Sequence, residues 1–200
     1  VVPVSGVDVG AGGFITAYSI VKVKDGKFDH VSSNDIYNLD ARFNSRIPAP
    51  EPIIKYLPKV NYWYLRDMNL SPDFKVSMDT FAENYKKTKS PEVDGIIAVD
   101  TKPLVDLLEV MGTIGVPGFG NFSAKEDPRC NCPQVIYELE DNVSRPVNYV
   151  KEDRKSLLGD LLSTIMTKAL SSSPKLYWGP LFQSFIKGAN EKHVLFYLYD

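Results

Sequence analysis

Two strand-forming runs on either side of an Asp-Gly turn place the strongest constraint on how this chain can fold. The segment GFITAYSIVKVKDGKFDHVSSNDIYNLD begins at Gly13 and has β-branched and aromatic residues before and after Lys24-Asp25-Gly26-Lys27. Glycine accepts the positive φ that a tight chain reversal requires, and an Asp-Gly pair between such runs is a strong local hairpin signal. The sequence therefore predicts an antiparallel hairpin here.

Helices and strands are predicted to alternate after this hairpin. Ser71 and Pro72 are typical of a helix start, as cap and first helical residue. The run VDGIIAVD is typical of a buried central strand, and TKPLVDLLEVMG of a helix capped by Thr101 and ended by Gly112. A long helix from Lys151, a helix in PKLYWGPLFQSFIKGAN and a strand in KHVLFYLYD follow. The helix after Pro72 should present one core face at spacings of four, three and four, formed by Phe74, Met78, Phe81 and Tyr85.

This order of elements predicts an α/β layer arrangement. A chain of 200 residues is long enough for one domain with a real core, so residues 1–200 are predicted to form a single domain. Residues 113–150 carry prolines, glycines and both cysteines, and we predict a long irregular insertion there. Cys130 and Cys132 are too close to close a long loop and lack nearby metal ligands, since His30 and His193 are distant in sequence. The cysteines are therefore predicted to be plain loop residues.

Composition and charge argue against two classes of partner. A net charge of −2 gives no general attraction to nucleic acid phosphates. No window of the sequence has the length and apolar character of a membrane span or a signal peptide. The chain starts without Met and stops inside the β-rich run HVLFYLYD, so we expect it to be a piece of a longer protein whose membrane segment, if any, lies outside it.

The stretch YLRDMNLSPDF concentrates charged and polar groups in a short segment. Arg66, Asp67, Asn69 and Asp73 supply carboxylates, which suit Mg²⁺, and a guanidinium, which matches phosphate oxygens. They therefore predict part of a pocket for a metal-bound phosphate. A structural interpretation stays open: Asp67 and Asn69 are ordinary turn formers, Arg66 can pair with an acid, and Asp73 suits the first turn of a helix.

Two further groups of charged residues are candidates for anion binding. Asp40 and Arg42 follow the second strand, where a loop could meet a ligand, although a solvated turn would look the same. Arg154 and Lys155 lie near the positive end of the long helix, where cations are unfavourable, so a bound anion would account for them. The alternative is that they belong to a solvated charged face.

Other kinds of chemistry find little support in the sequence. The opening GVDVGAGGF allows a nucleotide-kinase hypothesis, but no helix follows the glycines as a phosphate loop requires. No Ser-His-Asp order, zinc signature or G-x-S-x-G motif is present. His30 and His193 are predicted to lack partners. If the chain is an enzyme, acids and arginines carry the reaction.

Several segments, in order, resemble the bacterial domain-of-unknown-function-4012 family from about Gly12 to the last residues. They are AGGFITAYSIVKVKDGKF, DIYNLD, PAPEPIIKYL, WYLRDMNLSPDF, VDGIIAVD and LLEVMGTIGVPGFG. The chain is also similar to the LytR-CpsA-Psr proteins of bacterial envelopes, through DGIIAVD and the helix after it. That similarity implies an α/β/α sandwich with a mixed central sheet. It also implies transfer of glycopolymers from polyprenyl pyrophosphate carriers, with arginines on the pyrophosphate and aspartates on Mg²⁺.

Taken by position, the resemblance matches Asp40 and Arg42 to the post-strand loop of those proteins, and Arg154 to the arginine of their long helix. We therefore expect an extracytoplasmic domain of an anchored parent protein that binds a lipid-linked or anionic envelope glycan. Gly12-Gly13-Phe14 stands where those proteins have Arg-Ser-Asp, which favours the alternative of a non-catalytic binding or scaffolding module. The substrate glycan, the oligomeric state and the oxidation state of Cys130 and Cys132 are left open.

The predicted site residues fall into three groups, and Asp40 and Asp67 belong to two of them. Its catalytic residues are Arg66, Asp67, Asp73 and Asp40. Its substrate-binding residues are Arg42, Asn69, Arg154 and Lys155. Mg²⁺ is predicted to bind Asp40 and Asp67.

Overall fold

The computed structural model describes residues 13–144, 151–171 and 174–199. These residues form a mixed α/β fold, as predicted. The strands are β1 (Ala17–Lys24), β2 (Lys27–Asp35), β3 (Gly95–Val99), β4 (Ile114–Val116), β5 (Gly120–Phe122), β6 (Glu126–Asp127), β7 (Cys132–Pro133) and β8 (Val194–Leu198). The helices are α1 (Ile36–Asp40), α2 (Glu51–Tyr56), α3 (Phe74–Tyr85), α4 (Thr101–Met111), α5 (Gln134–Ser144), α6 (Lys151–Ser171) and α7 (Pro174–Asn190).

The predicted hairpin is confirmed. Strands β1 and β2 pair in antiparallel fashion up to Lys24 opposite Lys27. Both residues of the turn have positive φ, 52° at Asp25 and 73° at Gly26. This is the backbone geometry that matches the twist of two-residue hairpins, and it explains why glycine stands at the second position.

The described strands pair as four two-stranded antiparallel sheets: β1 with β2, β3 with β8, β4 with β5, and β6 with β7. They do not join into one larger central sheet within these residues. The run VDGIIAVD does form strand β3, but β3 pairs only with β8, and Ile97 is 52% exposed. The prediction of a buried central strand was wrong because an apolar run shows strand character without showing how many neighbours the strand has.

The helix starts differ from prediction by one or two residues. Asp73, not Ser71, caps α3, and its carboxylate accepts hydrogen bonds from the backbone N–H groups of Lys75 and Val76. Asp100, not Thr101, caps α4. An aspartate carboxylate close to the first free N–H groups supplies the same cap as a hydroxyl, and spacing alone does not separate the two choices. Gly112 ends α4 with a φ of 73°, as predicted.

Two apolar clusters form the core. The first packs α1 and α3 beneath β1 and includes Met78, Phe81 and Tyr85 from the predicted core face of α3, with Phe74 partly buried beside them. The second joins α4, β4, β5, α5 and α6. Helix α6 lies across the β1–β2 hairpin and β4, while α7 packs on α4 and reaches β8. None of the described helices combines the length and the apolar run that a membrane crossing requires.

The segment predicted as an irregular insertion, 113–150, contains short regular elements in its described part. Residues 114–144 form two small hairpins and helix α5, and the apolar side of α5 contributes Val135 and Leu139 to the second cluster. Residues 145–150 lie outside the described residues. Prolines and glycines in this segment mark tight turns between very short strands, which a pattern read over longer windows does not resolve.

Cys130 and Cys132 form a disulfide, so the prediction of plain loop cysteines was wrong. Asn131, between them, has a φ of 51°, and this left-handed residue turns the chain sharply. The argument from loop length concerned how much a crosslink stabilises the fold. It did not show whether the two sulfur atoms can meet.

Candidate functional site

A single turn of 3₁₀ helix, Leu65–Asp67, places the first part of the polar stretch inside the protein. Leu65 and Met68 are buried in the first apolar cluster and anchor the turn. The backbone N–H of Ile15 donates to the carbonyl of Arg66 at 2.9 Å, and the indole N–H of Trp63 donates to the carbonyl of Asp67 at 3.1 Å. The local backbone is therefore held on both sides, and the charged side chains are directed inward.

The structure brings Arg66, Asp40 and Asp67 together. Nη1 of Arg66 lies 2.7 Å from Oδ2 of Asp40, and Nε lies 3.6 Å from Oδ2 of Asp67. The guanidinium also lies over two aromatic rings, 4.1 Å from the centroid of Tyr64 and 5.1 Å from that of Tyr37. We call these five residues the Arg66 cluster. It joins residues 26 positions apart, and this confirms only that the chain gathers them, not what they do.

The Arg66 cluster is largely buried. The side chain of Arg66 is 16% exposed, and those of Asp40 and Asp67 are 6% and 5% exposed. Burial raises the pKa of the Asp40 carboxyl, and the hydrogen bond from Arg66 opposes this rise. Burial also raises the pKa of Asp67, where Arg66 opposes the rise and the nearby charge of Asp40 adds to it. The loss of hydration therefore outweighs the attraction of the single cation, as is common for buried ion pairs.

Three oxygen atoms in this region are buried without a hydrogen-bond partner among the described residues: Oδ1 of Asp40, Oδ2 of Asp67 and Oδ1 of Asn69. Their chemistry suits Mg²⁺, which binds oxygen ligands and often takes one or two carboxylates plus phosphates and waters. The described part of the chain places no group of three His, Cys, Asp or Glu for a metal. Asp40 and Asp67 thus fit a Mg²⁺ ion as partial ligands only, with the remaining positions left to a phosphate and water.

Asp73 does not join the Arg66 cluster. It is exposed at the start of α3 and caps that helix. The structural interpretation, in which Asp73 suits a first helical turn, describes this residue correctly.

A second feature is a cavity between β1 and β3, and Arg42 acts electrostatically on two tyrosines of its wall, Tyr18 and Tyr85. The cavity has a volume of about 90 Å³, and its walls are apolar and aromatic, with Leu39 and the rings of Tyr18, Tyr85 and Tyr199 among them. Arg42 is exposed and follows α1. Burial raises the pKa of Tyr18, and the positive charge of Arg42 opposes that rise.

Two tyrosines of the cavity wall, Tyr85 and Tyr199, differ in the bonding of their hydroxyl groups. The hydroxyl of Tyr85 donates to the carbonyl of Pro91 at 2.8 Å. The hydroxyl of Tyr199 is buried and has no hydrogen-bond partner among the described residues. Such a group usually finds a partner, so a bound molecule with an acceptor atom would satisfy it.

Arg154 and Lys155 lie in the first turns of α6, as predicted. Their side chains lie outside the described residues, so their predicted role in binding an anion stays a prediction.

Sequence reasoning missed the partners of both histidines. Nδ1 of His193 lies 2.5 Å from Oδ2 of Asp100, and Nε2 of His193 lies 3.9 Å from Oε2 of Glu191. His30 also has a partner, since its Nε2 lies 2.8 Å from the hydroxyl of Ser33. The prediction that both histidines lack partners was wrong. Antiparallel pairing of VDGIIAVD with HVLFYLYD would have placed Asp100 beside His193, and that was the available signal.

The comparisons with known proteins identify a family. A family model described as "Protein of unknown function (DUF4012)" matches residues 10–127, more than half of the chain. This range contains Asp40, Arg42, Arg66 and Asp67. A search of curated proteins and a search of solved structures each found no match. The chain is therefore a member of the DUF4012 family.

Proposed function

We propose that this chain is an extracytoplasmic cell-envelope domain that binds a phosphorylated, lipid-linked glycan carrier. The observation that carries this proposal is an exposed arginine, Arg42, whose charge acts on Tyr18 and Tyr85 in the wall of an apolar cavity. Leu39 lines the cavity and Arg42 follows it by three residues, and Arg42 has no ion-pair partner among the described residues. A ligand with an apolar chain and a phosphate head group requires this combination.

The size of the cavity limits what enters it. A cavity of about 150 Å³ is known to admit benzene, and this one has about 90 Å³. It would take one small apolar segment of a lipid, with the hydroxyl of Tyr199 available to an acceptor atom. The remainder of the lipid would lie outside it.

The Arg66 cluster supports binding better than catalysis. Arg66 is paired with Asp40 and lies close to Asp67, so its charge is already balanced by buried carboxylates. A guanidinium whose charge is already balanced binds a phosphate more weakly than an unpaired one. In this proposal the cluster holds α1 and the 3₁₀ turn in place beneath the head group, and Arg42 meets the phosphate.

A Mg²⁺-dependent glycopolymer phosphotransferase is a second candidate. Oδ1 of Asp40 and Oδ2 of Asp67, which are buried without a hydrogen bond to any described residue, support it, because Mg²⁺ is commonly bound by one or two carboxylates together with substrate phosphates. In that case the ion would supply charge stabilisation at the phosphate. The two carboxylates would bind and orient the ion from the protein side.

The disulfide between Cys130 and Cys132 supports an extracytoplasmic location. Disulfides persist in oxidising compartments and are rare where thiols are kept reduced.

The test measures binding of an undecaprenyl pyrophosphate analogue, with and without Mg²⁺, to the wild type and to Arg42→Ala. We expect the variant to bind at least about tenfold more weakly, the scale of one charge-assisted contact. Arg46→Ala is the matched control, since Arg46 is also exposed and lies over the ring of Tyr62 at 5.9 Å. Equal affinity of wild type and Arg42→Ala would remove the proposed site.

Two further arms separate the candidates. Inorganic pyrophosphate alone should bind much more weakly than the lipid analogue if the cavity takes part. Turnover of a lipid-linked glycan that is lost in Asp40→Asn would establish the phosphotransferase. Stoichiometric binding without product would leave the binding module.

A further inference from the structure

One side of the unit formed by α7, β3 and β8 is apolar and exposed. Six large apolar side chains, 40% to 72% exposed, form what we call the α7–β8 face: Ile97, Phe182, Phe185, Ile186, Phe196 and Leu198. Such a concentration differs from the single exposed apolar residues that occur on every protein surface.

The α7–β8 face is continuous across the two elements. The rings of Phe185 and Phe196 lie 5.8 Å apart and join the helix to the strand. Ile97 is directly opposite Phe196 in the β3–β8 ladder, so both side chains share one face of the sheet. Helix α7 buries Val194 at the start of β8, which is 2% exposed, but leaves Leu198 uncovered at 72%.

Strand β8 also has an open edge. The N–H of Tyr199 donates to the carbonyl of Asp94, and the N–H of Asp100 donates to the carbonyl of His193. The backbone N–H and C=O groups of successive residues in an antiparallel strand point to opposite sides. Since His193 and Tyr199 bond towards β3, Phe196 directs its N–H and C=O away from β3. The described residues provide no backbone partner on that side. An unpaired edge beside an apolar face is a template for another strand.

The area of this face is near what a stable dimer needs. Six large side chains that are about half exposed present roughly 600 Å², and a standard interface buries about 800 Å² on each partner. Trp178, one helical turn before Phe182 and 42% exposed, extends the same surface. Backbone and polar atoms at the rim would supply the remainder.

The rim of the face carries both signs of charge. Phe182 and Ile186 line a depression of about 480 Å³ together with Lys187 and Glu191. Lys187 has no ion-pair partner among the described residues. Because the rim holds a cation and an anion side by side, a twofold copy can present Glu191 to Lys187 and Lys187 to Glu191.

We propose that two copies of this chain associate through the α7–β8 face about a twofold axis. Two identical strands that pair in antiparallel fashion are related by such an axis, so the β8 edges join the two sheets into one of four strands. The apolar side chains of the two copies then lie next to each other on the same face of the joined sheet. This association does not rest on the ligand proposal, although Ile97 belongs both to the α7–β8 face and to the lining of the cavity between β1 and β3.

The test measures the mass of the 200-residue chain by light scattering and sedimentation equilibrium up to about 100 μM, a range that covers weak dimers. We expect a dimer. Leu198→Glu and Phe182→Glu should each weaken it at least about tenfold, since each buries a charge in the apolar contact. Val76→Glu is the control, because Val76 is 50% exposed on α3 and should leave the dimer unchanged.

A charge exchange tests the twofold arrangement. Lys187→Glu and Glu191→Lys should each weaken association, and the double variant should restore it, with circular dichroism showing that all variants fold. A monomeric wild type at the highest concentration, or an unchanged dimer in Leu198→Glu, overturns the proposal. A double variant no stronger than either single one rejects the twofold pairing.

Discussion

Replacing Arg66 with alanine should destabilise the protein strongly, because among the described residues Arg66 supplies the positive charge beside the buried carboxylates of Asp40 and Asp67. Breaking a buried ion pair by removing one partner typically costs about 3–5 kcal/mol. Loss of the guanidinium from the face of Tyr64, 4.1 Å away, adds roughly 0.5–2 kcal/mol. Because Arg66 keeps 16% exposure, the lower part of the combined range applies, and we expect a loss of roughly 4 kcal/mol at pH 7.

The loss should depend on pH in a defined direction. In the wild type, burial raises the pKa of Asp40 and Asp67 above the usual 3.8. The folded protein therefore holds these protons at a pH where the unfolded chain has released them. This contribution to stability is fully present below the unfolded pKa and falls as the pH rises through the folded pKa. Without Arg66 the folded pKa values rise further, so the variant should lose less stability at pH 5 than at pH 7.

Urea denaturation of the wild type and Arg66→Ala at pH 5 and pH 7 measures both effects. Arg46→Ala removes an exposed arginine that lies over Tyr62, and should cost less than about 1 kcal/mol. A double variant, Arg66→Ala with Asp40→Asn, should recover part of the loss because one buried charge is gone. A loss below about 1 kcal/mol for Arg66→Ala at pH 7 would contradict the reasoning, since exposed ion pairs contribute no more than this.

Three other changes test separate features. Asp73→Ala should lower the free energy of unfolding by about 1 kcal/mol through loss of the α3 cap, whereas Ser71→Ala should cost less, as urea titrations of the two variants will show. Gly159→Ala should destabilise the protein by about 1 kcal/mol, because the new Cβ would lie 3.1 Å from a carbonyl oxygen of β2. In an exposed helix the same substitution is stabilising. Thermal unfolding of the variant measures the change. Arg129 lowers the pKa of Asp127 from 3.8 to about 2. The stability from this pair is therefore fully present above the unfolded pKa and is lost as the pH falls from there through the folded pKa. An NMR titration of Arg129→Met should find the carboxyl pKa raised towards 3.8, with the backbone N–H of residue 129 still bound to the carboxylate.

The polar stretch shows how far sequence reasoning reached for the site. The residue types in YLRDMNLSPDF indicated ionic chemistry, and Arg66 does meet Asp40 and Asp67. The same reasoning gave Asp73 to the pocket, although its carboxylate caps α3. Asp67, in the Arg66 cluster, and Asp73, at the helix cap, lie within a few residues of each other. Only the local path of the backbone gives them different roles.

The tyrosine-lined cavity could not be predicted from the sequence. Its walls come from β1, α1, α3, β3 and the residue after β8, which are distant along the chain. Within its own segment, each of these residues has the pattern of an ordinary core or surface residue. A void exists only where several packed elements fail to fill the space between them, and local patterns contain no information about that.

Local chemistry by itself determined the hairpin at Asp25-Gly26, the core face of α3 and the end of α4 at Gly112, because φ preferences and apolar periodicity act within a few residues. Tertiary structure alone decided that Arg66 pairs with Asp40 and that β3 has one neighbouring strand, β8, within the described part of the chain. It also left Phe196 and Leu198 uncovered beside α7. Those outcomes depend on which segments, distant in sequence, pack against each other. The free energy of that packing depends on the whole folded structure and not on any one segment.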